Sequence, residues 1–119
     1  MDSSILEDIG LSNAEIKVYL ALLELGSSTA GPIIEKSGLQ SSVVYMTFQK
    51  LLDKGLVSAT KENKRTQYHA SNPQNIVAYI NEKKERFESI LPELLLKQSL
   101  SKHRPSTTLF HGIRGVKEL

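Results

Sequence analysis

Cysteine is missing from this chain. Disulfides, thiolate zinc sites and cysteine nucleophiles are therefore excluded. No apolar run approaches the ~18 residues that a membrane-spanning helix needs. The opening Met1-Asp2-Ser3-Ser4-Ile5-Leu6-Glu7-Asp8 is acidic and lacks the apolar core of a signal peptide. A cytoplasmic location is expected by default. No nucleophile–base constellation, Gly-rich phosphate loop or spaced carboxylate pair stands out. The chain is read as no enzyme, and no cofactor is expected. His69, His103 and His111 are far apart and lack a cysteine or spaced carboxylate partner. They are read as structural or surface residues rather than metal ligands.

What is present suits one small domain with an extension: 119 residues, 39% apolar and 24% charged. The net charge of +2 is unevenly spread. Residues 1–35 hold one Lys and six Asp/Glu; residues 36–69 hold six Lys/Arg and two Asp/Glu. Residues 70–119 hold eight Lys/Arg and five Asp/Glu. Positive charge thus begins in the middle third, as expected of a face that meets phosphate.

Local signals divide the chain. Residues 4–9 form a helical turn stopped by Gly10. Ser12-Asn13-Ala14-Glu15 has capping-box spacing. Behind it Ile16, Tyr19, Leu20 and Leu23 mark a buried stripe, broadened by Val18, Leu22 and Leu25. Gly26 ends this first helix. A second, short helix covers Ala30 to Ser37, with Pro32 in its first turn and Gly38 closing it. A third starts near Ser41 and ends at Lys54-Gly55, with Val44, Phe48 and Leu51 facing the core. Leu56–Thr60 and Thr66–Ala70 read as strands joined by a polar turn, Lys61 to Arg65. Asn72-Pro73 opens a long fourth helix that Pro92 should kink or divide. Thr107–Gly112 looks like a strand, and Ile113–Leu119 like the opening of another helix. These last pieces cannot bury their own apolar faces, so the chain is expected to be a piece, or a short relative, of a longer protein.

A helix that can enter a DNA groove, followed by a hairpin with cations at its tip, is a winged helix-turn-helix. The fold class is mostly α with a small β-hairpin (α+β), followed by a long C-terminal dimerisation helix. The expected parts are residues 1–72, the winged domain; 73–104, the helical dimerisation segment; and 105–119, the start of a C-terminal domain or tail.

Three segments carry a family resemblance. Ile9-Gly10-Leu11 leads into S-N-A-E-I-K-V-Y-L-A-L-L-E-L-G, and V-V-Y-M-T-F-Q-K-L-L-D-K-G-L-V follows. Together they resemble the N-terminal domain of TrmB-like transcriptional regulators, over about residues 5–100. P-S-T-T-L-F-H-G-I-R-G-V-K-E-L is similar to the start of that family's second domain. The resemblance implies a winged helix, a helical dimerisation segment and, in longer members, an effector domain that often binds sugars. The chain departs from the family in lacking most of that domain, so a small-molecule effector is expected only through the missing part. It also carries Ser41, Ser42 and Val43 where basic residues are frequent in relatives.

Candidate contacts follow from the third helix and the wing. The helix face away from Val44, Phe48 and Leu51 presents Ser42, Val43, Met46, Gln49 and Lys50. Gln40, Ser41 and Ser42 lie near free backbone N–H groups and can meet phosphate; alternatively, Ser41 or Ser42 only caps the helix. Gln49 either reads adenine or stays at the backbone. Val43 and Met46 either touch thymine methyls or pack on a neighbouring element. Tyr45 sits between the two faces: either it packs with its hydroxyl near the phosphate backbone, or it only packs; Thr47 is read as structural. In the wing, Arg65 is expected in a minor groove, with Lys61 and Lys64 along phosphates; the alternative is a charged turn that is simply solvated. Gln67 and His69 are weaker candidates.

Ile76, Ile80, Phe87, Ile90, Leu91 and Leu94 give the fourth helix more apolar surface than a small winged domain covers; a paired helix from a second copy would cover it, or the helix folds back on the first helix of its own chain. Lys83 interrupts this near-heptad stripe. The expected partners are a second copy of the chain and double-stranded DNA bearing a pseudo-palindromic operator; no membrane is expected. The expected function is a sequence-specific DNA-binding transcriptional regulator. The alternative is a winged-helix protein–protein interaction module without direct DNA binding.

Overall fold

The computed structural model describes residues 1–101. The elements are α1 (Ser4–Asp8), α2 (Asn13–Leu25), β1 (Ser27–Ser28), α3 (Ala30–Ser37), α4 (Ser41–Asp53), β2 (Val57–Glu62), β3 (Arg65–Ala70) and α5 (Gln74–Ser99). They fall into two compact units, the first Met1–Lys83 and the second beginning at Lys84. The strand and helix expected beyond residue 106, and His103 and His111, lie outside the described residues. Among the described residues no helix is long and apolar enough to cross a membrane.

The helix ends follow local chemistry. The Ser12 hydroxyl accepts from the Glu15 amide at 3.1 Å, and the Glu15 carboxylate accepts from the Ser12 amide at 2.7 Å. This is the capping box that the spacing predicts. Gly38 closes α3 at φ 73°, ψ 11°, a left-handed conformation that glycine adopts without Cβ strain. Asn72 Oδ1 accepts from the Gln74 amide at 2.8 Å and so starts α5.

The core lies where α2, α3 and α4 meet the sheet. Val18, Leu22, Ile33, Val44, Leu51 and Leu56 are fully buried, and Tyr19 and Phe48 nearly so. The buried face of α2 is Glu15, Ile16, Val18, Tyr19, Ala21 and Leu22. Leu23, expected in the stripe, is exposed. The helix is apolar over much of its circumference, and spacing alone did not say which arc α3 and α4 would cover.

The sheet is antiparallel, ordered β1-β3-β2. Ser27 and Ser28 pair with His69 and Tyr68, forming a third strand that the sequence reading lacks. Two serines carry no strand periodicity, so this strand exists only through its partner. His69 pins all three strands: Nδ1 lies 2.8 Å from the Ser27 hydroxyl, and Nε2 lies 2.9 Å from the Thr60 hydroxyl. That places His69 structurally.

The wing turn is shorter than Lys61–Arg65. Only Asn63 and Lys64 turn, both at positive φ (51° and 67°). Two consecutive left-handed residues match the right-handed strand twist and allow a two-residue hairpin. Lys61 and Arg65 therefore sit in strands, opposite Thr66 and Glu62. Pro92 does not divide α5, which runs through it. Every residue from Ile80 to Leu100 is exposed, so water is at hand for the carbonyl that proline leaves without a donor.

Candidate nucleic-acid interface

Helix α4 buries Val44, Thr47, Phe48 and Leu51. The Thr47 hydroxyl donates to the Val43 carbonyl at 2.7 Å, a structural role. Ser42, Tyr45, Met46 and Gln49 follow at i, i+3, i+4 and i+7 and form the opposite, exposed stripe. Tyr45 and Met46 are more than half exposed. Val43 lies half-buried on the flank, and Lys50 is exposed. The Gln49 amide donates to Asp53 Oδ1 at 3.1 Å, one turn on.

The N-cap of α4 is Gln40, and no side chain caps this end. Ser41 and Ser42 are thus helical residues with exposed side chains, not caps. The first-turn N–H groups remain open to an outside acceptor.

Rings join this helix to the wing. Phe48 stacks on Tyr68 of β3 with centroids 3.7 Å apart and planes 11° apart. Tyr45 meets the edge of Phe48 at 6.3 Å and 78°. Burial pushes the Tyr68 hydroxyl pKa up, with a smaller push from Tyr45.

Beside these rings a cleft of about 530 Å³ opens, lined by Thr29–Pro32, Tyr45, Lys64, Arg65, Thr66 and Tyr68. The structure thus brings three sequence candidates together: Tyr45, Lys64 and Arg65. Lys61 is exposed on β2 and does not line the cleft. The contribution of Thr29–Pro32 was missed. Gln67 Oε1 is buried without a partner among the described residues.

On the far side of the core, Glu15 is 2% exposed. Lys54 Nζ donates to its second carboxylate oxygen at 2.7 Å. Burial raises the Glu15 pKa, but hydrogen bonds from Lys54 and Ser12 and the Lys54 charge outweigh it and hold it below the usual carboxylate range. This pair was not foreseen. It joins the start of α2 to the end of α4 across 39 positions.

Residues 6–74, more than half of the chain, match the family described as "Sugar-specific transcriptional regulator TrmB". The chain belongs to the TrmB family. No curated protein matches it. Among solved structures it is similar to TrmBL2, an archaeal chromatin protein described as showing a novel mode of DNA binding. That likeness has a TM-score of 0.72 and 20% identity, and it covers 82% of this chain and 38% of TrmBL2. A possible transcriptional regulator from Methanosarcina mazei Go1 matches with a TM-score of 0.65 and 16% identity, over 81% of this chain and 86% of that one. A MarR-family transcriptional regulator from Silicibacter pomeroyi matches with a TM-score of 0.55 and 13% identity, over 87% and 82%. At these identities the likeness is one of fold. The TrmB-family chain is thus a winged helix with a small three-stranded sheet and a long C-terminal helix.

Proposed function

We propose that this chain is a DNA-binding transcriptional regulator that acts as a homodimer. The observation that carries the reading is the exposed stripe of α4 flanked by a cationic cleft. Ser42, Tyr45, Met46 and Gln49 face outward, and Lys64 and Arg65 line a cleft that Tyr45 shares. In the major groove, α4 puts Met46 and Val43 against thymine methyls and Gln49 near base edges once it leaves Asp53. The uncapped first turn, with Gln40, Ser41 and Ser42, meets a phosphate.

The wing acts on the backbone. Arg65 is a strand residue that lines the cleft beside α4, not a residue of the turn's tip. We assign Arg65 and Lys64 to the phosphates flanking the groove that α4 enters, with Lys61 and Lys50 adding charge at the edges.

The second copy docks on α5. Ile80, Phe87, Ile90, Leu91 and Leu94 are all at least 36% exposed, and Leu95 and Leu96 extend the apolar surface. Ile76 is half-buried against the core of its own winged unit and contributes to the root of the interface. A two-fold pair places two α4 helices about 34 Å apart or a multiple of it, on a pseudo-palindrome.

A second reading, a protein-binding winged module, rests on the exposed apolar surface of Tyr45 and Met46 and on Lys50 as the sole cation of α4. Fluorescence anisotropy separates the two. The protein is titrated against the DNA upstream of its own gene and against scrambled DNA, at low and near-physiological salt. Regulation by direct binding requires tighter binding upstream, with a steep salt slope. Arg65→Ala should make the slope shallower by about 1. A folded dimer that binds neither DNA leaves the protein-binding module.

A further inference from the structure

The first turns of α5 are tied to the end of α4 by charges and a ring. Lys54 is the C-cap residue of α4. Its ammonium donates to Glu15 at 2.7 Å and lies 5.7 Å from the centroid of the Tyr79 ring. The Lys83 ammonium lies 5.0 Å from the same ring. Both distances are within cation–π range. One residue past Lys54, the Gly55 carbonyl accepts from the Asn75 side-chain amide at 3.2 Å. A Cβ on Gly10 would stand 3.3 Å from Lys83 Nζ and 3.5 Å from the Tyr79 hydroxyl oxygen. The loop before α2 therefore closes on the same point, and glycine leaves room for it. All these groups lie within Met1–Lys83.

Only Ile76 and Tyr79 of α5 pack against the hydrophobic core, and both are half-buried. Position at this joint is therefore set less by interlocking apolar volume than by Lys54. That side chain serves two acceptors at once: the buried Glu15 carboxylate and the Tyr79 face. We infer that Lys54, Tyr79 and Lys83 are positioning residues, which set the start of α5 against α4 and so set the spacing of the two half-sites. The inference rests on the DNA-reading dimer proposed above.

Selection from a random-sequence DNA duplex library tests it, with the distance between recovered half-sites as the readout. Wild type, Tyr79→Phe, Tyr79→Leu and Lys83→Gln are compared, with sedimentation run on each. Wild type and Tyr79→Phe, which keeps the ring, should recover half-sites at one spacing. Tyr79→Leu and Lys83→Gln should recover the same half-site sequence as dimers. Their preference for that spacing should fall roughly tenfold, with neighbouring spacings now accepted. A merely structural role would lower the melting temperature and leave the spacing unchanged, and that result overturns the inference. Lys83 is exposed, so Lys83→Gln decides the matter should Tyr79→Leu fail to fold. A wild type that recovers no paired half-sites removes the DNA-reading dimer and the joint's role with it. A wild type with one spacing that no variant relaxes removes the joint alone.

Discussion

The winged unit and the far part of α5 treat apolar side chains in opposite ways. Between Leu11 and Tyr68, fourteen apolar residues are buried around one core. From Lys84 to Leu100 every residue is exposed, although Phe87, Ile90, Leu91, Leu94, Leu95 and Leu96 lie there. Hydrophobicity is similar in kind in the two places. What differs is company: α2, α3, α4 and the sheet cover one another, whereas among the described residues the far part of α5 has nothing to bury its stripe against. An amphipathic stripe shows that a partner is needed, and the surrounding elements decide whether the chain supplies it.

The sharpest way to break the contrast is in the core. Phe48 touches Tyr45 and Tyr68 and is 1% exposed. Phe48→Ala should cost about 3–5 kcal/mol of unfolding free energy, read by chemical denaturation, because it leaves a cavity and unseats the wing. Phe87→Asp should leave the melting of the winged unit nearly unchanged. If the proposed dimer forms through α5, the substitution should weaken it on the order of a hundredfold in sedimentation, since Phe87 is 53% exposed in the single chain. A Phe87→Asp protein that stays dimeric at the same concentration would count against this interface.

Charge sharpens the comparison further. Exposed ions along α5 should tolerate substitution with little change in unfolding free energy, whereas Glu15 should not. Glu15→Gln should cost about 2 kcal/mol, less than breaking a fully buried pair because Lys54 is 24% exposed. The sign with pH follows from the lowered Glu15 pKa. Its stabilisation is full above the ordinary glutamate pKa and is lost as pH falls through the folded-state value. Denaturation at stepped acid pH should show that loss in the wild type and a flatter limb in Glu15→Gln. The smallest effect is expected at Tyr19, whose hydroxyl is buried without a partner among the described residues. Tyr19→Phe should be neutral or stabilising by up to about 1 kcal/mol in the same assay.

Much of this was legible because it is local. The Ser12–Glu15 box, the stops at Gly26 and Gly38, and the core spacing of Val44, Phe48 and Leu51 each depend on residues within two helical turns. The candidate surface was legible in part. The helix pattern told the outward stripe of α4 from the inward one, and lysine and arginine marked the wing. What the pattern missed depends on distant partners. Strand β1 exists because His69 and Tyr68 pair with two serines, and the Glu15–Lys54 bridge spans two helices.

The sequence by itself determined where α2, α3 and α4 start and stop, which face of α4 turns inward, and where positive charge collects. Capping, glycine conformation and helical periodicity act over a few residues and need no neighbours. Only the tertiary structure decided that Leu23 stays exposed, that Arg65 is a strand residue lining a cleft with Tyr45 rather than part of the turn, and that Lys54 stands between Glu15 and Tyr79. Those outcomes depend on which surfaces meet, and burial, ion pairing and ring contact take effect only after the chain has brought them together.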